Sequence, residues 1–490
     1  MTFNKTAAVL LGSVALASLA VPAFAQEAAP AAPEATASAD EQASEIEFLK
    51  AQLESMQTQI ADLQKAAKDG TPTFKAAPEF KGQGFSFKPK GFVQFDAGYV
   101  GNPDDRVTGN GLGWGSRFRR LVFGAEGSMP GGFGYKVELN LAQSTVDYED
   151  VILTWQKSGS PFIVTVGNFY PSSSLETMTS SRLGSFTERA AFTEAFNYNR
   201  RLGAAVGLVD PADRYTLTAG VWNQEINQVS PNNSASVRTA WQGSVRGTFS
   251  PTLGSTRMHL GANYQHREFQ KDVQATTYQS RAFTQVSDQR FVGTGNMAAK
   301  SDDIVGVELG AIHGPFHFAG EAQYVWTKTI RPTDVLTQGN ATTGTRFLGN
   351  PNFFGGYAEV GYYLTGESRG YKGGKWDRTK VLNPIDKGGM GAWQVNARFD
   401  YLDLQDRVAT SAVAATNNSA PFYVNGGKQE GYLLSVIWNP MDYIRFLAQY
   451  GRTHVTGGSL AATVVPVSAD PAKDRSYNVD MMALRAQVEF

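Results

Sequence analysis

From Gly91 to the last residue, apolar and polar side chains alternate with a period of two. In "GFVQFDAGYV" (91–100), Val93, Phe95, Ala97 and Tyr99 share one face, with Gln94 and Asp96 on the other. "FGYKVELNLA" sets Phe133, Tyr135, Val137, Leu139 and Leu141 against Lys136, Glu138 and Asn140. "AWQVNARFDY" sets Trp393, Val395, Ala397, Phe399 and Tyr401 against Gln394, Asn396, Arg398 and Asp400. Successive strand side chains point to opposite faces, so each segment has one wholly apolar face and one carrying charge at its centre. Repeated this often, that pattern means lipid outside and water inside.

The rhythm predicts strands at 90–100, 114–128, 133–142, 147–157, 161–169, 201–209, 215–223, 236–250, 257–269, 303–313, 316–329, 352–364, 391–403, 428–439, 443–456 and 476–490. Sixteen is an even number, as a single-chain bacterial barrel requires. Connections alternate in length. Short ones such as Met129-Pro130-Gly131-Gly132 and Gly314-Pro315 are expected periplasmic turns, and most long ones extracellular loops. Two connections stand apart. Residues 170–199, the third extracellular loop, show no clear secondary structure over about 30 residues, a length that implies a job. Residues 365–390 should be a short turn and are not.

Before the barrel the period changes. Ile46, Leu49, Leu53, Met56, Ile60 and Leu63 follow one another in steps of three and four, closed by Ala67. Such a narrow a/d seam calls for partner helices, predicting a homo-oligomeric coiled coil over 40–69; a helix lying on its own barrel is the alternative. The seam residues leave dimer and trimer open. Lys5, the apolar run Ala7–Ala20 and Ala23-Phe24-Ala25 read as a signal peptide, residues 1–25. Ala/Pro-rich residues 26–39 and residues 70–89 read as linkers on either side of the coiled coil, with the barrel at 90–490. The fold class expected is therefore an all-β membrane protein, a sixteen-stranded antiparallel transmembrane β-barrel with an N-terminal α-helical coiled coil.

Composition agrees. Fifty-one glycines, 30 phenylalanines, 19 tyrosines and 8 tryptophans accompany the alternation, and cysteine is absent, excluding disulfides and thiol catalysis. The net charge of −1 hides a segregation: residues 26–69 hold nine acids against three lysines, leaving the remainder positive by about four. The five histidines lack the spacing of a zinc site or triad, so an enzyme is not expected, nor a cofactor or metal. Nucleic acid is not an expected partner. The final "MMALRAQVEF" alternates to an aromatic terminus, Phe490, which resembles the signal read by the barrel-assembly machinery of outer membranes.

Several segments resemble the phosphate-selective porins O and P. They are "FRRLVFGAEG" (118–127), "VTVGNFYPSSSLETMTSSRLGSFTERAAF" (164–192), "NRRLGAAVG" (199–207), "YYLTGESRGY" (362–371) and "GAWQVNARFDYLDL" (391–404). The resemblance implies a trimeric outer-membrane barrel of a Gram-negative bacterium, passing anions through an arginine-lined pore narrowed by its third loop. The chemistry is compatible, because a guanidinium stays charged and grips oxyanions through a planar fork. Candidates in and beside the loop are Arg182, Arg189, Arg200 and Arg201, of which Arg182 is equally suited to tethering the loop. Alternation points Arg120, Arg238, Arg246, Arg398, Arg445 and Arg485 into the lumen, where Glu126, Glu138, Glu321 and Asp400 are expected to pair with arginines. Residues 365–390 carry Arg369, Lys372, Lys375, Arg378, Lys380 and Lys387, a basic element either folded into the periplasmic mouth or simply solvated. One position departs from the family: Val122 stands where another arginine is common, which weakens the expectation of strict phosphate specificity. A general diffusion porin with slight anion preference, or a sugar or organic-solute channel, is the alternative. Expected partners are a homotrimer, outer-membrane lipid and lipopolysaccharide, and, through the coiled coil in the periplasm, the cell wall.

Overall fold

The computed structural model describes residues 39–70, 73–75 and 77–490, apart from 102–106, 109–111, 145, 224–238, 271–273, 333, 335–343, 408–422, 458–462 and 465–475. The signal peptide, the first linker and Arg238 lie outside the described residues. A single helix, α1 (Ala39–Gly70), covers the predicted coiled coil. Its seam residues Ile46, Leu49, Leu53, Met56 and Ile60 are each about half exposed in the single chain.

The remainder contains sixteen long strands: β1 (Phe85–Val100), β2 (Gly113–Met129), β3 (Phe133–Asn140), β4 (Asp147–Trp155), β5 (Phe162–Phe169), β6 (Arg201–Val209), β7 (Tyr215–Trp222) and β8 (Thr239–Phe249), then β9 (Thr256–Phe269), β10 (Met297–His313), β11 (Phe316–Thr329), β12 (Asn352–Tyr363), β13 (Ala392–Arg407), β14 (Tyr423–Met441), β15 (Ile444–Thr456) and β16 (Ser476–Glu489). Every neighbour pair is antiparallel, and β16 returns to β1 in a register running from Met481 opposite Val100 to Glu489 opposite Phe92. Phe490 completes the seam, its backbone exchanging two hydrogen bonds with Gly91 at 2.8 and 3.0 Å. Closure leaves no strand edge unpaired, which a barrel in lipid requires.

The alternating pattern fixes which face looks outward. Phe95, Val307, Leu434 and Leu484 are exposed, while Asp96, Glu308, Ser435 and Arg485, next to them in sequence, are buried. Near the terminus Trp393 stacks on Trp438 and Trp438 on Phe446, both with ring centroids 5.6 Å apart, as in an interfacial aromatic girdle. Tight turns close this end: His313-Gly314-Pro315-Phe316 joins β10 to β11, with Gly314 at φ +53°. Residues 77–82, expected as linker, instead form a strand paired with the start of β1.

At the opposite, loop-bearing end, β10, β13 and β14 run farther than the alternation predicted. Here Ile304, Val325, Phe353 and Leu402 are inward-facing and 0–2% exposed, so both faces are apolar and the period is lost. They are covered from inside by two connections. The third loop (170–200) folds into two short helices, α2 (Leu175–Met178) and α3 (Ala191–Phe196). The fifth (270–296) forms a small hairpin, Gln279–Ser280 with Val292–Gly293. Phe192, Phe196, Tyr278, Phe283 and Phe291 join the wall residues in one apolar cluster. Fully burying each such ring contributes roughly 1.5–3 kcal/mol.

Candidate functional site

Neither loop helix announces itself in the sequence, because carboxylates on the wall cap them. Ser174 caps α2 locally, its Oγ accepting from Thr177 N, and Glu321 of β11 accepts from the Glu176 backbone N–H at 2.9 Å. Helix α3 has no side-chain cap of its own. Asp400 of β13 accepts from Ala191 N at 3.2 Å, and Glu176 Oε2 from Ala190 N at 2.7 Å. The amides that a helix start leaves unpartnered are thus satisfied partly by wall carboxylates and partly within the loop. Glu321 and Asp400 serve the loop and make no ion pair with arginine among the described residues. Glu126 and Glu138 pair with lysines, Lys90 and Lys136. The expected arginine partners of all four are therefore corrected.

Arg398 completes the dock. Its Nη2 lies 2.6 Å from both Glu176 Oε1 and Glu359 Oε2, and the guanidinium covers the rings of Tyr357 and Phe186. Across the lumen Glu188 receives Arg119 at 2.7 and 3.0 Å, and Arg485 at 3.2 Å. Burial alone would raise the Glu188 carboxyl, but Arg119, Arg485 and Arg120 outweigh it and hold the group well below the usual carboxylate range. The loop therefore spans the lumen, held to β2 and β16 on one side and to β11–β13 on the other.

Arg119 escapes a strict period-two reading. A bulge sets Gln94 opposite Arg120 and Phe95 opposite Phe118, leaving Arg119 as the extra residue. Arg119 is consequently directed inward together with Arg120. Past the bulge Val122 faces inward and is 1% exposed, so the inner row ends on an apolar side chain.

The remaining candidates fall into two groups. Arg485 is bidentate to Asp96 at 2.6 and 2.7 Å, Arg246 to Glu308 at 2.8 and 2.7 Å, and Arg182 reaches Glu489 at 2.9 Å. Arg200 pairs with Glu149 and Asp150 while covering Tyr170. It precedes β6, so strand alternation does not constrain it. Arg201 is buried against the Tyr198 ring, 3.8 Å from its centroid. Three of the candidate arginines form no ion pair with a carboxylate among the described residues. Arg120 donates to Gln94 Oε1 at 3.1 Å. Arg189 donates to the carbonyls of Glu176, Thr177 and Thr179 and to Tyr170 Oη. Arg445 donates to those of Arg182 and Gly184.

Residues 364–391 enter the barrel from the turn end as a strap. A hairpin, Gly370–Lys372 with Lys375–Asp377, turns through Gly373 and Gly374 at φ +59° and +72°. Its tip meets the far wall: Gly373 N donates to Asp213 Oδ1 at 3.0 Å, and Gly374 O accepts from Arg246 at 2.7 Å. Lys372 and Lys375 are exposed, whereas Arg378 pairs with Glu489 and donates to Asp442 O. Arg369, expected at the mouth, is instead 7% exposed and hydrogen-bonds Ser185 of the third loop at 2.6 Å.

What these parts leave open is a cavity of about 490 Å³ between the third loop and the β2–β6 side of the wall, lined by eight arginines and six carboxylates. A closed barrel that is apolar outside and holds a charged cavity within is a pore-forming membrane barrel.

Residues 87–490 match the family described as "Phosphate-selective porin O and P". A protein of Caulobacter vibrioides is 35% identical over 425 residues, 85% of this chain and 77% of its own. Porin O of Pseudomonas aeruginosa is 28% identical over 398 residues, 75% and 82% of the two chains. The crystal structure of the outer membrane channel DcaP of Acinetobacter baumannii is similar at a TM-score of 0.46 and 14% identity, covering 84% of this chain and 99% of that one. The chain belongs to the phosphate-selective porin O and P family, and is an outer-membrane porin.

Proposed function

We propose that the barrel is a passive channel for small anions, phosphate among them, narrowed by the third loop and lined by arginine. The observation that carries this reading is the positive balance of the central cavity, where Arg120 and Arg189 have no carboxylate partner among the described residues. A channel must offset an ion's dehydration yet hold it weakly enough for release. Arginines already paired to carboxylates mute the field, and the unpaired ones supply it. Placed in a planar bilayer under a potassium chloride gradient, the protein is expected to give a reversal potential of the sign for chloride, and phosphate is expected to reduce the chloride current. Equal permeability to both ions would reject the reading.

The same geometry lends support to a second reading, a general diffusion porin with weak anion preference. Six carboxylates against eight arginines leave a modest surplus, and Val122 ends the inner row. Under that reading chloride is favoured slightly and phosphate does not block.

The half-exposed seam of α1 supports a parallel coiled coil with further copies of this chain, in the periplasm. At ~1.5 Å per residue its 32 residues extend about 48 Å, a reach toward the cell wall. A homotrimer in contact with lipid and lipopolysaccharide, assembled through recognition of Phe490, completes the proposal. Deleting residues 40–69 is expected to lower the temperature at which the oligomer dissociates in detergent gels by ~10 °C or more, without altering conductance. An unchanged dissociation temperature would remove the fastening role.

A further inference from the structure

A second, smaller cavity of about 30 Å³ lies at the turn end, between the strap and the β13–β16 wall. That is room for roughly one water molecule. Among the described residues, Arg369 is the one side chain that lines both cavities. It stands where the strap meets the third loop, so the two obstructions meet at one guanidinium.

The surroundings of Arg369 hold it in place and neutralise it only in part. Nη1 donates to Ser185 Oγ at 2.6 Å and to His317 Nε2 at 2.9 Å, and Nη2 to the Leu183 carbonyl at 3.2 Å. Trp376, from the returning arm of the strap, covers it with its ring centroid 4.9 Å away. The nearest carboxylate, Glu359, is 3.7 Å off and already bonded to Arg398 at 2.6 Å. A planar cation bonded to neutral acceptors and an aromatic face, with its one nearby carboxylate shared with Arg398, keeps part of its charge for a passing ion.

We propose that Arg369 is a specificity-determining residue of the channel: an oxyanion leaving the larger cavity transfers its contacts to this guanidinium before reaching the turn end. The proposal rests on the anion-channel reading and adds a position and a preference. A fork at a one-water junction favours ions with two accessible oxygens, such as phosphate and phosphate monoesters, over spherical chloride. The strap thereby serves as part of the filter as well as a plug.

The test uses the full-length protein in planar bilayers, with chloride as carrier and inorganic phosphate as blocker. Arg369→Gln is expected to lower the chloride-over-potassium permeability ratio roughly tenfold and to weaken phosphate block by a similar factor. Arg369→Lys is expected to keep the chloride preference, since the charge stays, while weakening phosphate block several-fold, since the fork is lost. A residue that merely pins the loop would change conductance and noise equally in both variants, leaving the reversal potential where it was; that outcome overturns the proposal. Wild-type phosphate block in Arg369→Lys overturns it even if Arg369→Gln fails to assemble. A wild-type channel without anion preference would defeat the underlying reading instead. Anion preference retained in Arg369→Gln would defeat this inference alone.

Discussion

Replacing Arg398 with alanine is expected to release the third loop from the β11–β13 wall, and with it to raise single-channel conductance several-fold. The guanidinium lies between Glu176 of the loop and Glu359 of the wall, both buried or nearly so. Removing it leaves two carboxylates facing each other in a space with little water. Breaking a buried ion pair from one side costs roughly 3–5 kcal/mol. The loop is the softer partner, because the wall is held by its backbone ladder. Undocking it should bare the backbone around residues 176–194 to protease, while the barrel keeps its resistance to heat and detergent. Arg398→Lys, able to satisfy one carboxylate, should fall between. Wild-type conductance together with an intact loop after protease treatment would show that the helix caps from Glu321 and Asp400 suffice without the arginine.

Arg120→Gln should do the reverse, altering ion preference and sparing stability. Arg120 gives one hydrogen bond to Gln94 and forms no ion pair among the described residues, and Glu188, whose charge it helps to hold, keeps Arg119 and Arg485, so its loss strands no charge. A charged hydrogen bond to an ion is worth about 1.5–3 kcal/mol, so phosphate block should weaken roughly ten- to a hundredfold. Arg485→Gln is the contrast. It leaves Asp96, 1% exposed, without its ion-pair partner among the described residues, while Glu188 keeps Arg119; the stability cost is roughly 3–5 kcal/mol. If both substitutions changed block equally and stability equally, the division between paired and unpaired arginines would have no functional meaning.

The wall was legible because its two solvents differ. Lipid on one side and a polar lumen on the other impose a two-residue period that survives in a single sequence, and all sixteen strands begin within six residues of the expected position. The largest departures are β10, which starts at Met297 and not at 303, and β14, which starts at Tyr423 and not at 428 and ends two residues late, at Met441. Where the lumen is filled, as at Ile304 and Leu402, both faces turn apolar and the strand ends are harder to read. The bulge at Arg119 hides one inward arginine for a related reason, since it shifts the period by one.

The interior furniture was barely legible, because its bonds join residues far apart in the chain. Nothing near Ala190 signals a helix start, as the cap is Asp400, about two hundred residues away. The inward fold of the fifth loop was not anticipated at all. Its polar "TTYQSRAFTQVSDQ" resembles a solvated loop, and only Tyr278, Phe283 and Phe291 packed under the third loop reveal its direction. The arginines were recognised by type, but their pairing depended on which acids the loops bring near.

Glu489, one residue from the chain end, binds both Arg182 of the third loop and Arg378 of the strap, and β16 also supplies the Arg485 contact to Glu188. None of these contacts can form until the last strand has been made and joined to the first. The order of construction follows: the cylinder is zipped shut before these last contacts lock, and a chain stalled short of its final strand holds the third loop only from β2 and from β11–β13. Contacts this distant in sequence form late and slowly. A young barrel is therefore least firmly furnished just before closure, and the strand that completes the wall also fastens what lies within it.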